Sequence, residues 1–355
     1  MKAILFTKAN TAELVEKEMP EPKPGEIRVR LVRSCISNGT ERSNLLGVPD
    51  GGVGIFPVAN PEKTTWPRQS GYASSGIIDK IGPMEIPDAS PYRVGQRVAM
   101  SWTLHQEYEC VPAERVYPIP DGASFEAAAF AHISTFPMAA IRKCRLEIGE
   151  GAIVMGQGVL GQLAVMILKA AGATPVIAAD PLPKKRAIAL KIGADAALDP
   201  TVPDFAAKAK ALCPGEHRTM FSRVIDDGPK VGIEVTGVGA ALDNVLDAIS
   251  PYGRIALLGC TRNSNFTIDY YHKIHGRGVT LVGAHTLARP ETESSPGYWT
   301  TRDDALAFLR LVALKRIDLD GFCAEVHHPE KCGEVYSRLA KDGNFPIVQF
   351  DWSER

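Results

Sequence analysis

Residues 152–180 constrain the fold of this chain more than any other stretch. An apolar run, Ala152-Ile153-Val154-Met155, leads into Gly156-Gln157-Gly158-Val159-Leu160-Gly161 and then into the apolar segment Gln162 to Ala171. A second strand-like run, Pro175-Val176-Ile177-Ala178-Ala179, ends at Asp180. Strand, glycine turn, helix, strand and acid, in that order, make the layout that holds a dinucleotide. Gly156 permits the tight turn, Gly158 lets backbone approach a pyrophosphate, and Gly161 lets helix lie against strand. Val159 and Leu160 open the helix whose free N–H groups face the phosphates. A carboxylate about twenty residues on accepts hydrogen bonds from the adenosine ribose. The plainer reading of the same residues is a glycine-rich turn between two core elements.

A chain of 355 residues is too long for one core and points to about two domains. The net charge is -1 and 45% of residues are hydrophobic, so no basic excess points to nucleic acid. No apolar run reaches the ~18 residues of a membrane span. Met1 to Phe6 reads as a first strand and not as a signal peptide, because it has no long apolar stretch and no small-residue cleavage site. Seven cysteines are scattered and none forms a CxxC pair. That spacing suits reduced thiols in a cytoplasmic protein better than a disulfide frame or a zinc knuckle.

Residues 1 to about 130 read as β-rich. Ile27 to Val32 alternates with period two, as a half-buried strand does, and Ser75–Gly82 and Gly95–Met100 are further short strands. Residues 48–70 read as a long loop of the kind that forms a functional wall or lid. From about 133 the pattern becomes alternating strand and helix: a helix over 183–192, a strand over 233–236, a helix over 240–249, and strands at 254–258 and 279–282. Such alternation builds a parallel sheet with helices on both faces, an α/β fold. Helices over 301–314 and 334–339 and a strand over 347–350 end the chain.

The whole chain resembles the medium-chain dehydrogenase/reductase family of the alcohol dehydrogenase type. The resemblance is carried by the Pro-rich stretch before Gly25-Glu26-Ile27-Arg28-Val29, by Gly71-Tyr72-Ala73-Ser74-Ser75-Gly76-Ile77-Ile78 with Gly82, and by Gly95-Gln96-Arg97-Val98. Glu107-Tyr108 and Pro118-Ile119-Pro120-Asp121-Gly122 follow in the usual order, ahead of the glycine turn. It implies a discontinuous GroES-like β-rich catalytic domain over 1–132 and 286–355, around a Rossmann doubly wound parallel sheet over 133–285. It also implies an active site in the cleft between them and a homodimer joined through Rossmann sheet edges.

The departures from that pattern matter most. Zinc members carry a cysteine where this chain has Ser37, a histidine where it has Tyr72, and an acid where it has Ala73. The third ligand position falls on Ala131, beside His132. The four-cysteine lobe is replaced by a short turn between Met100 and Glu107. A tetrahedral catalytic zinc needs three deprotonatable side chains, which Ser37, Tyr72 and Ala131 do not supply, so no metal is expected. Cys35, Glu41, His105 and His132 are the donors left from which an unorthodox site would have to be built. Ser37-Asn38-Gly39-Thr40-Glu41 is similar to the Ser-x-Gly-Thr-Glu motif of zinc-lacking members, several of which act on ring-bearing or sugar-like alcohols.

Asp180 argues for NAD, since a carboxylate there binds the ribose hydroxyls and repels a 2′-phosphate. Lys184, Lys185 and Arg186 lie close by, and Lys185 matches a lysine flanking the adenosine ribose in NAD-dependent relatives. By resemblance, Thr135 touches the nicotinamide, and Thr236-Gly237 and Gly259-Cys260-Thr261 line the cofactor. Without a metal, another group must hold the developing alkoxide and take the proton. Tyr72 is the first candidate; its alternative role is to fill the metal's space. Glu41 is a candidate base or else an orienting residue, and His132 is a candidate at the domain junction or else structural. His105 reads as structural, and His285 is a weaker candidate for facing substrate. Trp66, Trp102 and Trp299 are candidates for stacking on a sugar face. The expected activity is a zinc-independent, NAD-dependent oxidation of a small-molecule secondary alcohol, a polyol, sugar or cyclitol. The alternatives are an NADPH-dependent quinone or enoyl reductase and a non-catalytic nucleotide-binding protein.

Overall fold

Alternation in β3 (Glu26–Cys35) shows how the first half of the chain folds: Ile27, Val29 and Leu31 are fully buried while the residues between them are partly exposed. In this computed structural model, residues 1–47, 65–83, 92–215, 227–260 and 265–353 are described. The chain enters through an antiparallel pair, β1 (Lys2–Lys8) and β2 (Thr11–Glu16). After β3 comes helix α1 (Asn38–Leu46), and then β4 (Ala73–Ile81), which lies antiparallel between β3 and β5 (Arg97–Ser101). β6 (Tyr108–Pro112) pairs with β3, and β7 (Val116–Pro118) with β5. A short helix α2 (Phe125–Ala128) follows, then α3 (Ala131–Lys143).

The chain divides into two compact units, one of residues 1–133 and 305–355, the other of residues 134–304. The chain therefore crosses between the units at 133/134 and again at 304/305. The second unit holds β8 (Ala152–Met155), α4 (Val159–Ala170), β9 (Val176–Ala179), α5 (Pro183–Lys191), β10 (Ala196–Leu198), α6 (Phe205–Leu212), β11 (Val231–Glu234), α7 (Gly239–Ala248), β12 (Arg254–Leu257), the single-turn α8 (Tyr270–Lys273) and β13 (Thr280–Gly283). Its sheet is parallel, with strand order β10-β9-β8-β11-β12-β13. Numbered from β8, this is the doubly wound order 3-2-1-4-5-6, whose reversal between β8 and β11 opens a crevice at the strands' carboxyl ends. The strands β8, β9 and β11 are buried along their whole length, which is why they read as unbroken apolar runs and not as alternating ones.

The C-terminal segment supplies α9 (Thr301–Ala313), β14 (Glu325–His327), α10 (Cys332–Lys341) and β15 (Val348–Asp351). β15 pairs antiparallel with β3, Gln349 opposite Cys35, so the tail of the chain completes the first unit's sheet. The first unit's core joins Ile4, Phe6, Val29, Leu31 and Leu45 to Tyr336, Leu339, Val348 and Phe350 from that tail. The α/β class and the β-rich first part of the sequence reading are both present. Of the long loop expected over 48–70, residues 48–64 lie outside the described residues.

One buried acid in the first unit gives a pH-dependent stability. Glu109 is 9% exposed, and burial pushes its carboxyl up to about 7 against the opposing pull of the Leu104 N–H, the Gln106 amide and Lys17. The folded protein therefore keeps a proton that the unfolded chain loses above its ordinary value of 4.5. Stability falls as pH rises between 4.5 and about 7 and levels off above that, a loss of about 3 kcal/mol across the window. Glu109→Gln removes the ionisation, so its unfolding midpoint relative to the parent protein should rise between about pH 5 and about pH 8. A constant difference across that range would refute the assignment.

Candidate active site

The glycine turn follows β8 as the sequence requires. Gly156 has φ 97°, and its N–H bonds the Ala179 carbonyl at 2.7 Å. A Cβ on Gly161 would lie 1.8 Å from the Gly156 carbonyl oxygen, so no side chain fits where α4 crosses the turn. A Cβ on Gly158 would meet nothing within 4 Å, which leaves open space at the N-terminus of α4. Asp180 follows β9 and is 5% exposed. It accepts the Gln157 N–H at 2.8 Å and the Leu182 N–H at 2.9 Å, so the acid is drawn onto the turn itself. Arg186 donates to the carbonyls of Asp180 and Pro181 and pairs with Asp199 at 3.1 Å. Lys185 is half-buried in the first turn of α5.

At the end of β11 the buried Glu234 accepts the N–H groups of Thr236 and Gly237 and the Thr236 hydroxyl. It sets the loop in which Gly259 comes so close to Gly237 N that a Cβ there would stand 2.2 Å away. Cys260 is exposed beside it, and Thr261 lies outside the described residues. Thr135 is buried in α3, its carbonyl accepting from Arg289 at 2.6 Å. Arg289 and Arg142 flank Asp304, at 3.6 and 2.9 Å, and Arg142 also lies 3.6 Å over the ring of Trp299. That contact covers one face of the Trp299 ring. His285 is held below its ordinary value, first by burial and then by Lys143, and its Nδ1 accepts the Leu287 N–H.

In the first unit, three adjacent strands bring a second group of residues together. Ser37 follows β3, Tyr72 precedes β4 and Trp102 follows β5. The strands are antiparallel neighbours, so all three residues sit at the same end of the sheet. Tyr72 donates its phenol hydrogen to Ser37 Oγ, and its carbonyl accepts the Trp102 N–H. His132, near the start of α3, packs edge-on against both rings, with centroids 5.5 Å from Tyr72 and 4.8 Å from Trp102. Trp102 is 41% exposed and its φ is 59°, a conformation that a bulky residue rarely adopts. Trp66 instead packs against the core and under Arg68.

Glu41 touches this group through the Ser37 backbone alone. It is fully buried. Its Oε1 accepts the Ser37 N–H at 2.7 Å, and its Oε2 accepts from Tyr336 OH and lies 3.1 Å from His105 Nε2. Both oxygens of Glu41 are thus engaged by groups of the first unit. The Trp352 indole donates to Ser34 Oγ, which lies 2.7 Å from His105 Nδ1. That order leaves the Ser34 hydrogen for Nδ1 and places the ring proton on Nε2, toward Glu41. Burial, then Glu41, pushes the Tyr336 phenol well above its ordinary range, so it remains a donor. His105 thus has a buried partner at each ring nitrogen.

The zinc-binding dehydrogenase family profile matches residues 159–296. L-threonine 3-dehydrogenase of Pyrococcus horikoshii is 26% identical over 309 residues, 80% of this chain and 82% of that protein. D-guloside 3-dehydrogenase of Escherichia coli K12 is 25% identical over 306 residues, 82% of this chain and 83% of that protein. The crystal structure of galactitol-1-phosphate dehydrogenase from Escherichia coli superposes with a TM-score of 0.79 at 18% identity, covering 99% of this chain and 100% of that one. Over most of its length the chain is similar to dehydrogenases of the medium-chain, alcohol dehydrogenase type.

The structure brings Tyr72 and His132 together and places Glu41 behind Ser37, on its backbone N–H. It gathers Gly156, Gly158, Gly161 and Asp180 at one turn and Thr236 with Gly259 at another. Sequence reasoning missed the hydroxyl partnership of Ser37, the organising carboxylate of Glu234 and the buried Arg289. The available signal for Glu234 was a lone acid closing an apolar strand. Ser37 gave no such signal, because its partner lies 35 residues away. Among the described residues, no helix is long and apolar enough to cross a membrane.

Proposed function

We propose that the protein uses NAD to interconvert a secondary alcohol of the polyol, sugar or cyclitol class and its ketone, with side-chain hydroxyls in place of a catalytic zinc. The observation that carries this is the hydrogen bond from Tyr72 to Ser37. At the positions where zinc relatives carry ligands, these two side chains offer hydroxyls, the first donating to the second. Glu41 has both oxygens engaged, and His105 has a partner at each ring nitrogen. The Cys35 thiol is buried, which pushes it well above the ordinary thiol range. Among the described residues, no group of three His, Cys, Asp or Glu is placed to hold a metal. This donor set does not fit a tetrahedral zinc.

The turn at 156–161 does fit NAD. Gly158 leaves the space a pyrophosphate needs at a helix N-terminus. Asp180 uses one acceptor site on each oxygen for backbone N–H groups, and a carboxylate has about four, so sites remain for ribose hydroxyls. Arg186 is already committed to Asp199 and two carbonyls, which favours the unphosphorylated ribose. When bound, NAD supplies the acceptor for the substrate's hydride.

The chain's own residues handle the oxygen. In the reductive direction, negative charge grows on the carbonyl oxygen, and Tyr72 gives its proton to that oxygen. For that transfer the phenol hydrogen leaves Ser37 Oγ for the substrate oxygen, and the Ser37 hydroxyl turns to donate its own hydrogen to the phenolate. Oxidation runs the same path backwards, the phenolate taking the alcohol proton. Trp102, exposed beside Tyr72, offers an aromatic face to the C–H side of a ring substrate. A sugar-like substrate is also supported by the resemblance to D-guloside 3-dehydrogenase.

Absorbance at about 340 nm with panels of polyols and enones, each with NAD(H) and NADP(H), tests this reading; turnover of a polyol with NAD is expected. Reduction of enones with NADPH, or cofactor binding with no turnover on any panel, would overturn it. Trp102→Ala is expected to raise KM for a ring polyol by about 3- to 10-fold and to leave KM for a short acyclic alcohol unchanged, in line with about 0.5–1.5 kcal/mol per aromatic contact. Equal effects on both substrates would remove Trp102 from substrate recognition.

A further inference from the structure

Ser37 is a serine at a helix N-cap that does not cap. The residue begins α1 with extended backbone, φ -94° and ψ 94°, yet its side chain makes no hydrogen bond to the helix N–H groups. Serine is favoured at this position because its oxygen normally satisfies one of those donors, a contribution of about 1 kcal/mol. Here the oxygen turns to Tyr72 instead.

Glu41 holds the serine in that arrangement. Its carboxylate accepts the Ser37 N–H at 2.7 Å, and its own backbone N–H donates to the Ser37 carbonyl at 2.8 Å. Both backbone groups of Ser37 are thus tied to one residue, and χ1 is the freedom that remains. Glu41 is in turn held from its other side by Tyr336 on α10 and by His105, itself fixed through Ser34 and Trp352. The anchors come from β3, the 105 loop, the C-terminal helix and the C-terminal strand end, so the serine is braced by the rigid part of the first unit.

We infer that Glu41 is a positioning residue: it acts through Ser37 to fix the direction of the Tyr72 phenol. This rests on the role proposed above for Tyr72. Reach, and not charge, is what the geometry requires. A glutamine at 41 still offers an amide oxygen to the Ser37 N–H. The Tyr336 hydroxyl can turn to accept from its amide nitrogen, and the imidazole can change tautomer. An aspartate keeps the charge but is one methylene too short to reach the Ser37 N–H.

The test is kcat, with a panel of Glu41→Gln, Glu41→Asp, Ser37→Ala, Tyr72→Phe and the Glu41→Asp/Ser37→Ala double variant. NAD binding followed by fluorescence titration and thermal midpoints accompany each variant. Glu41→Gln should keep kcat close to the parent value. Glu41→Asp should lower kcat by about 10- to 100-fold with KM little changed, as a small misplacement of a reacting group does. The double variant should be no slower than Ser37→Ala, because the path from Glu41 to the phenol runs through the missing hydroxyl. Independent, additive losses in the double variant, or a Glu41→Asp enzyme with parental kcat, would overturn the inference. Full activity in Tyr72→Phe would instead remove the proposed role of Tyr72 itself.

Discussion

Tyr72→Phe is expected to lower kcat with a polyol by about 10²- to 10⁴-fold, the usual worth of a positioned proton donor or acceptor. The substitution deletes one oxygen. The ring keeps its edge contact with His132 and its neighbour Trp102. The first unit's sheet is untouched, because the strand pairing begins at Ala73. NAD binding, which depends on the second unit, should therefore be unchanged while turnover collapses. Ser37→Ala should cost less than Tyr72→Phe, since it leaves the phenol present but unsteered. A Tyr72→Phe enzyme within about threefold of the parent would mean that the phenol only fills space.

Asp180→Asn weakens NAD binding by about 10²-fold and erodes the preference for NAD over NADP. Two effects add. The amide removes the charge that strengthens hydrogen bonds to the ribose and repels a 2′-phosphate. It also turns one acceptor into a donor that faces the Gln157 or the Leu182 N–H, disturbing the turn that Asp180 holds. Equilibrium titration of cofactor fluorescence reads both effects, as the NADH dissociation constant and as the NADPH to NADH ratio. Unchanged affinity for both cofactors would place the ribose away from Asp180. Gly161 serves as a companion probe, because its clash is with backbone and cannot be relieved by a side-chain rotation.

The parts of this molecule that local patterning controls were legible in the sequence. The Gly156 turn, the buried strands of the parallel sheet and Asp180 all depend on neighbours within one strand–helix–strand unit, and their ranges agree with the expected ones to within a residue or two. Helix α3 was harder to see because Pro137 interrupts it and Ser134-Thr135 read as a family mark instead of helix interior. Helix α1 was hidden by its low hydrophobicity and its uncapped serine. The fate of Glu41 was not legible at all. Its partners at 37, 105 and 336 are brought together only by the sheet and by the return of the tail, 295 residues along the chain in the case of Tyr336. Trp299 was open for the same reason: its partner Arg142 lies on a helix far earlier in the chain. Residue type and spacing show which groups are present near a site. Which of them face a substrate is settled by long-range packing.

What grips the reacting oxygen is tested most directly by metal content measured alongside turnover. Protein purified without added metal, dialysed against a zinc chelator and assayed with polyol and NAD is expected to contain far less than stoichiometric zinc and to keep its full kcat. Stoichiometric zinc in the active protein, with turnover lost on chelation and restored by zinc, would contradict the account.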